Sequence, residues 1–219
     1  MSNEAKVRQE YHSLVRKDVL ELVPDGMNSV LDVGGGTGGS SAYLKESGKV
    51  SKAVVVDLVA DNCLPAVDAA YGGNLENPEL LHQVKTEQGK FDVILCLDVL
   101  EHLTDPWSIV DRLSDMLHPG GVLITSVPNA RNYRLTAPLV FKGKFELTDR
   151  GLLDRTHLRW FVRSTARELV ERDDLAVEYF HGHFGGRKKK LFNKLTLGLF
   201  REFLIIQFYI RSRKSVADR

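Results

Sequence analysis

The run SVLDVGGGTGG at residues 29–39 constrains the fold more than any other part of the chain. A short apolar segment carries an acid near its end and leads into a glycine loop, which opens a helix predicted over about 40–47. Glycines let the backbone approach a ligand at φ angles that other residues avoid. The positive end of the helix would face the same loop. This stretch predicts a strand–loop–helix site for an anionic or dipolar ligand.

The glycine spacing by itself also fits a dinucleotide-binding loop. The literal match is Gly34, Gly36 and Gly39. Two acids favour a different ligand. Asp32 lies two residues before the first glycine, where its carboxylate can meet an ammonium group, and Asp57 ends a second apolar run, where a carboxylate can accept hydrogen bonds from ribose hydroxyls. S-adenosylmethionine carries both groups, whereas NAD has no ammonium for Asp32 to hold.

The chain alternates strand-like apolar runs with helical patterns, which predicts a parallel sheet with crossover helices. The expected strands lie near 29–33, 52–57, 68–75, 91–97, 120–127, 175–181 and 203–211. Helices are expected over about 5–22 and 163–172. Residues 129–157 are too many for a simple connection, so we expect an insert there that shapes the acceptor pocket.

Five segments resemble, in order, motifs of the class I S-adenosylmethionine-dependent methyltransferases. They are Leu31–Gly38, Phe91–Leu103, Leu117–Ile124, Ser126–Asn129 and Leu153–Phe161. The last two are similar to a bacterial branch associated with surface-polysaccharide and glycan biosynthesis and related to the ubiquinone-pathway O-methyltransferases. The resemblance runs from about Tyr11 to about Phe180. It implies one α/β domain over 1–219 with a Rossmann-like seven-stranded sheet, mostly parallel with an antiparallel last strand, and helices on both faces.

The resemblance also implies S-adenosylmethionine as the cofactor and assigns residues to it. The candidates are Tyr11, Asp32, Gly34, Gly36, Gly38, Asp57, Leu58, Asn74 and Leu97. Asp32 and the loop would meet the methionine end, and Asp57 would hold the ribose unless it is only a helix N-cap. Leu58 and Leu97 would flank the adenine. Asn74 stands where the family usually has an acid near the adenine amino group.

Methyl transfer to a hydroxyl needs a proton acceptor, and histidine suits that role at neutral pH. His102 follows the fourth predicted strand, at the edge where such sheets bind ligands, and His157 closes the insert. With Glu101 they are the catalytic candidates, one histidine as base and the other as an orienting donor. The structural alternatives are a capping role for His102 and a hydrogen bond from His157 that ties the insert down.

A divalent cation is a second interpretation of the same residues. Asp98, Glu101 and His102 would share one face if that stretch were helical, and His157 would complete a ligand set. The arrangement resembles the metal-dependent small-RNA 2′-O-methyltransferases, with Asp98 where that family has a glutamate. Metal-free chemistry is the preferred reading, and no metal site is assigned.

The net charge of +1 conceals a strong asymmetry. Residues 184–219 hold ten Lys or Arg and two Asp or Glu, so this part carries +8 and the remainder −7. The basic amphipathic segment 187–200 would either pack its apolar side on the sheet or lie on an anionic membrane surface. Outside one patch the basic residues of the chain lack interleaved stacking aromatics, so a nucleic-acid partner is not favoured.

Location follows from cysteine use and hydropathy. Cys63 and Cys96 do not make a disulfide framework, and Met1–Gln9 is polar without an apolar signal segment. The run Leu195–Ile210 contains Arg201 and Glu202 and is too short to span a bilayer. A cytoplasmic protein is expected, with the basic segment as a contact for the inner face of the membrane.

Three functions remain open. The first is O-methylation of a sugar hydroxyl in glycan biosynthesis, on a small or lipid-linked acceptor whose polar groups would be held by four insert residues. These are Arg131, Tyr133, Arg134 and Arg155. The second is O-methylation of a phenolic small molecule in quinone or secondary metabolism. The third is a catalytically silent S-adenosylmethionine-binding partner subunit. An aromatic acceptor pocket would favour the phenol, and a wet groove lined by Asp, Arg and Tyr would favour the sugar.

Overall fold

A seven-stranded sheet forms the centre of the computed structural model, which describes residues 15–216. The strands are β1 Ser29–Val33, β2 Lys52–Asp57, β3 Ala69–Gly72, β4 Phe91–Leu97, β5 Leu117–Pro128, β6 Leu175–His183 and β7 Gln207–Lys214. Their order is β3-β2-β1-β4-β5-β7-β6. Strands β1 to β5 pair in parallel, and β7 runs antiparallel to both neighbours. The predicted fold class is confirmed.

Eight helices are seen among the described residues. They are α1 Lys17–Leu20, α2 Gly39–Glu46, α3 Pro78–Gln88, α4 Pro106–Asp115, α5 Tyr133–Lys142, α6 Arg163–Val170, α7 Arg187–Leu195 and α8 Arg201–Leu204. Helices α3 and α4 both begin with proline behind a capping side chain: Asn77 accepts from the amide of Glu79, and Asp105 from that of Ser108. A short 3-10 turn, Leu100–His102, follows β4.

The central parallel strands of the sheet are buried on both faces, as parallel sheets require. All five residues of β1 are buried. Leu31 belongs to one apolar cluster and its neighbour Val30 to a second, and successive strand residues point to opposite faces. The first cluster includes residues of α3, α4 and α6, and the second includes residues of α1 and α2. The expectation of helices on both faces is therefore correct.

Within residues 15–216, the segments that the sequence marked as functional meet at the carboxyl edge of the sheet. The strand order reverses between β1 and β4, and α/β sheets bind ligands outside the strand ends at such a switch point. The glycine loop follows β1 and the 3-10 turn follows β4 at this edge. Strand β5 also ends at this edge, and residues 129–162 follow it there. Residues 184–206 lie here too, because β6 ends and the antiparallel β7 begins at this edge.

Several boundaries differ from the sequence expectation; β3, for example, is Ala69–Gly72 rather than 68–75. Strand β5 begins at Leu117 rather than 120, and β7 begins at Gln207 rather than 203 because α8 and the buried Ile205 precede it. Only one turn of the expected N-terminal helix, Lys17–Leu20, falls in the described part of the chain. Residues 1–14 lie outside the described residues, and so does the cofactor candidate Tyr11.

Candidate functional site

The loop after β1 is a cradle of bare backbone. Gly34, Gly36 and Gly38 have φ angles of 69°, 58° and 79°, in the left-handed region that favours glycine. A Cβ on Gly34 would lie 2.2 Å from Cγ2 of Val99, and one on Gly38 would lie 2.5 Å from Cγ2 of Val67. Side chains therefore do not fit at these two positions. The loop suits close approach by the methionine end of S-adenosylmethionine, as expected for this motif.

Asp57 holds the glycine loop and keeps acceptor capacity. Its Oδ2 accepts from the Gly36 amide at 2.8 Å, and its Oδ1 accepts from the Val59 amide at 3.1 Å. Each ionised carboxylate oxygen can accept a second hydrogen bond, so ribose hydroxyls still have acceptors here. After Asp57 the next helix in the described chain begins at Pro78, which rules out the helix N-cap interpretation.

Asp32 lies buried beneath the loop. Its Oδ2 accepts from the amide of Ser41 at 3.2 Å, in the first turn of α2. Burial raises the pKa of Asp32 to about 7, the bonds from Ser41 oppose that rise, and the charge of Asp57 adds to it. An ammonium group nearby would favour the ionised carboxylate. The role of Asp32 toward the methionine ammonium stays a prediction with a physical basis.

The adenine candidates follow β2, β3 and β4. Leu58 is 73% exposed directly after Asp57. Asn74 is exposed, and its Oδ1 accepts from the amide of Glu76 at 2.9 Å. The neighbouring Gly73 amide donates to the Asp57 carbonyl, which brings Asn74 to the ribose side. Leu97 is half-buried and packs against the second core cluster. Their contacts with adenine remain predictions.

Glu101, His102 and His157 meet at the same edge. The ring centroids of the two histidines are 4.7 Å apart at an interplanar angle of 72°. His157 Nε2 lies 4.0 Å from Glu101 Oε1. The amides of Leu158 and Arg159 both donate to the Glu101 carbonyl, at 2.8 and 3.0 Å, which fastens the end of the insert to the 3-10 turn. The sequence therefore named three residues that the fold brings together.

Hydrogen bonds assign the tautomer of each histidine. His157 Nδ1 lies 3.2 Å from the Leu152 carbonyl, and His102 Nδ1 lies 3.2 Å from the Thr156 carbonyl. A carbonyl only accepts, so each neutral ring carries its proton on Nδ1 and presents a lone pair at Nε2. Burial lowers the pKa of His157, and the neighbouring His102 lowers it further. His157 is therefore neutral at physiological pH and can accept a proton.

Glu101 is a buried acid without a partner on one oxygen. It is 1% exposed, and within the described chain its Oε2 has no hydrogen-bond partner. Burial raises the pKa of Glu101 well above its usual range, and the charge of Asp98 raises it further. Leaving a buried polar atom unpaired costs roughly 1–3 kcal/mol. A perturbed carboxyl beside two histidines is typical of a functional site.

Asp98 does not join this group, which corrects the predicted ligand set. The stretch from Asp98 is not a helix: Asp98 has φ 58°, and only the 3-10 turn follows. Its carboxylate is held by Arg16, by Gln207 Nε2 and by Ser126 Oγ at 2.9 Å. No sequence pattern revealed this network, because Arg16 and Gln207 lie 82 and 109 residues from Asp98.

The remaining metal interpretation involves three ligands. The nearest donor atoms of Glu101, His102 and His157 all lie within 4.8 Å of one another. A divalent ion of the zinc type binds at about 2.0–2.2 Å, so it would draw these groups closer than they stand. Metal dependence remains an alternative to simple base catalysis.

An aromatic wall extends from the histidines into the insert. The rings of His157 and Trp160 are 5.8 Å apart, and those of Trp160 and Phe145 are 5.5 Å apart. Nothing in the local sequence marked Phe145. Three of the four polar residues expected to hold a sugar make other contacts: Arg155 pairs with Asp149 at 2.6 Å. Arg131 lies over Phe203, Tyr133 under Lys189, and Arg134 is exposed on α5.

Comparison with known proteins agrees with this geometry. Residues 7–179 match the methyltransferase-domain family. The chain is 32% identical over 159 residues to a ubiquinone biosynthesis O-methyltransferase of Psychrobacter cryohalolentis, covering 69% of this chain and 60% of that protein. It is 31% identical over 133 residues to the mitochondrial enzyme of that name from Dictyostelium discoideum, covering 54% and 40%. The chain thus spans at most about 60% of these two relatives.

Solved structures share the fold at lower identity. A methyltransferase of Archaeoglobus fulgidus described as SAM-dependent has a TM-score of 0.61 at 17% identity, covering 96% of this chain and 99% of that one. The N-methyltransferase NodS of Bradyrhizobium japonicum, solved with S-adenosylhomocysteine, has a TM-score of 0.53 at 16% identity, covering 94% and 86%.

The family match covers most of the chain, and the sheet order, the bare glycine loop and the acid after β2 are those that the resemblance implied. The chain belongs to the methyltransferase-domain family, as a class I domain whose methyl donor is S-adenosylmethionine.

Proposed function

We propose that this protein transfers a methyl group to a phenolic hydroxyl of a small molecule, with a histidine as the proton acceptor. The observation that carries the proposal is the meeting of two histidine rings, His102 and His157, with centroids 4.7 Å apart, beside the wall formed by Trp160 and Phe145. An aromatic wall suits a flat ring. The relatives named for ubiquinone biosynthesis support O-methylation of a small molecule, and they favour this acceptor over the sugar.

Each residue has a definite task in this reaction. When bound, S-adenosylmethionine supplies an electrophilic methyl group on a sulfonium. Asp57 and the glycine loop hold that donor in place, so alignment provides much of the catalysis. A phenol has a pKa of about 10. His157 Nε2 accepts the phenolic proton while the phenolic oxygen acts as the nucleophile. The Leu152 carbonyl keeps the opposite nitrogen protonated throughout.

His102 takes a different role from the orienting donor that the sequence suggested. In the neutral forms both rings present an acceptor at Nε2, so His102 orients the substrate by accepting from a second hydroxyl. Two histidine rings 4.7 Å apart suit an acceptor ring with two adjacent hydroxyls. The buried Glu101 has its Oε1 4.0 Å from His157 Nε2 and, when protonated, would add a donor to the Nδ1–H groups that the two rings direct at carbonyls.

Alanine variants of the two histidines test the proposal. We expect His157→Ala to lower turnover of a dihydroxybenzoate by ~100- to 10,000-fold, the usual contribution of a general base. His102→Ala should lower it less, and calorimetry should find S-adenosylmethionine affinity unchanged in both. The matched control is His82→Ala, exposed on α3. Near-parent turnover in both variants would exclude these bases, and a collapse of cofactor binding would make them structural.

A panel of acceptors separates the three functions. Transfer of labelled methyl to dihydroxybenzoates, and not to monosaccharides or their nucleotide conjugates, is the expected result. Transfer to the sugars alone would replace the phenol with the glycan acceptor. If none of these acceptors leads to S-adenosylhomocysteine although the protein still binds S-adenosylmethionine, the interpretation as a silent partner subunit replaces both.

A further inference from the structure

We propose that a cap over the carboxyl edge of the sheet docks on the surface of an anionic lipid bilayer. The cap surface is defined by residues 139–147, at the end of α5 and beyond, and residues 187–201, from α7 to the start of α8. Lipid binding is independent of the methyl acceptor, and its test needs no catalysis.

The apolar residues of the cap surface point into solvent. Helix α7 has no buried residue. Phe141 is 83% exposed, Leu195 is 73% exposed and Leu197 is 96% exposed. Leu197 is also one of two non-glycine residues with positive φ in the described chain, at 49°. The expectation that this segment packs its apolar side on the sheet is therefore wrong, and exposed apolar patches of this kind mark interaction surfaces.

The two parts of the cap surface adjoin each other through specific contacts at their bases. Lys189 Nζ lies 5.6 Å from the ring centroid of Tyr133, at the start of α5. Asn132 Nδ2 donates to the Ile205 carbonyl at 2.7 Å, just after α8. The start of α5 and the α7–α8 segment are thus held together at the sheet edge, and the proposed surface extends along α5 to residues 139–147.

The charge of this surface identifies the partner. Residues 139–147 and 187–201 hold eight Lys or Arg and one Glu. No cation of α7 lies within ion-pair distance of a carboxylate in residues 15–216. These cations are Arg187, Lys188, Lys189, Lys190 and Lys194. Strand β7 differs, because Arg213 pairs with Glu178 and Lys214 with Asp174. The basic tail therefore divides into paired strand cations and unpaired helix cations.

A bilayer satisfies both properties of the surface. Leucine and phenylalanine side chains enter the boundary between headgroups and acyl chains, while lysine stems reach the anionic headgroups. A second copy of this chain would bring like charges together, and a nucleic acid would leave the leucines in water. Since the cap lies at the edge that carries His102 and His157, docking would face the acceptor site toward the lipid; only this consequence rests on the proposed function.

Vesicle flotation of the full chain tests the charge contribution. We expect the parent to float with vesicles of phosphatidylcholine and phosphatidylglycerol, far less with phosphatidylcholine alone, and less at high salt. Lys188→Gln with Lys190→Gln should weaken binding about 25-fold, at about fivefold per cation. The control is Lys85→Gln with Lys90→Gln, two exposed lysines at the end of α3 and just beyond it. That pair should bind as the parent does.

A second pair tests the apolar contribution. Leu195→Ser with Leu199→Ser should remove the binding that survives high salt, while calorimetry with S-adenosylmethionine shows that the domain is folded. The proposal is overturned if the parent stays unbound with anionic vesicles, or if both cap variants float like the parent. It is also overturned if the leucines instead hold a dimer that these serines dissociate, or if the parent binds RNA and not vesicles. If methyl transfer is absent but the protein still floats with anionic vesicles, the proposed function is contradicted and the lipid-binding proposal is not.

Discussion

Asp32 shows, at the scale of one residue, that a group needed for binding can lower the stability of the folded protein. Its folded-state pKa of about 7 lies above the ordinary value of 3.8 because burial disfavours the charge. The folded state therefore keeps a proton that the unfolded state has lost. Stability falls as the pH rises from about 4 to about 7, and the loss persists above that range.

Replacing Asp32 with asparagine should reverse this loss. In the absence of cofactor, we expect Asp32→Asn to raise the free energy of unfolding at pH 8 by on the order of 2–4 kcal/mol, and by less at pH 5. Urea denaturation at the two pH values measures both. The same variant should bind S-adenosylmethionine more weakly, because the ammonium loses its anion. Asp61→Asn, at an exposed position, is the control; equal stability of parent and Asp32→Asn at pH 8 would contradict the raised pKa.

The histidine pair allows a prediction of whether methyl transfer depends on a divalent cation. We expect methyl transfer to continue in excess EDTA, because a neutral His157 Nε2 accepts a proton without an ion. The measurement is turnover after chelation and after adding back Mg²⁺ or Mn²⁺. Complete loss that either ion restores would instead make Glu101, His102 and His157 the ligands of a catalytic cation.

Whether a site residue could be predicted from the sequence depends on how far away in sequence its partners lie. Asp32, Asp57 and the glycines occur in a local pattern whose spacing reflects the strand–loop–helix geometry, so the sequence was enough to name them. His102 and His157 were chosen by their place relative to strand ends. The Arg16–Asp98–Gln207 network was missed because it joins three distant segments, and its members carry no local signal. A resemblance in spacing had placed Asp98 in the ligand set of the metal alternative, which was not the preferred interpretation.

At the scale of elements, the buried parallel strands were the most predictable. The observed bounds of β1, β2 and β4 match the expected ranges, because short apolar runs bounded by glycine or acids define central strands. The last strand was placed four residues early. The apolar run 203–206 resembles a strand, but it forms the end of α8 and a buried link, a choice that periodicity alone does not decide.

Asn129 shows how that link is held. It is fully buried, and its Nδ2 donates to the carbonyls of Glu202 and Ile205 at 2.7 and 2.9 Å. Asn129→Ala would leave the Glu202 carbonyl without this donor, so we expect a loss of about 1–3 kcal/mol in the free energy of unfolding. Tryptic cleavage within α7 should also become faster, since the segment opens locally.

The matched control is Asn77→Ala, which removes the N-cap of α3. That change should cost about 1 kcal/mol and leave cleavage in α7 unchanged. If both variants are cleaved at the parent rate and Asn129→Ala unfolds at the parent urea concentration, the buried amide does not anchor the cap.

At the scale of the whole molecule, the sheet topology determines where the basic residues of 184–219 lie. The +8 of residues 184–219 was visible in the sequence, but its separation into a paired strand and an exposed helix was not. That separation depends on β7 entering antiparallel beside β5, which leaves residues 184–206 at the carboxyl edge. No helix within residues 15–216 is long and apolar enough to cross a bilayer.

Cofactor binding should stabilise the molecule as a whole, because the site joins loops from three neighbouring strands. At a concentration 100 times its Kd, S-adenosylmethionine contributes about 2.7 kcal/mol. For a chain of this size that corresponds to a rise in Tm of roughly 5–10 °C. Asp57→Ala should weaken binding by roughly 1–3 kcal/mol, because ribose hydroxyls lose a charged acceptor. At the same ligand concentration it should lose much of the rise, whereas His157→Ala should keep it. Differential scanning fluorimetry with and without ligand measures all three proteins. A full rise in Asp57→Ala, or none in His157→Ala, would show that the donor and acceptor ends of the site have been assigned to the wrong residues.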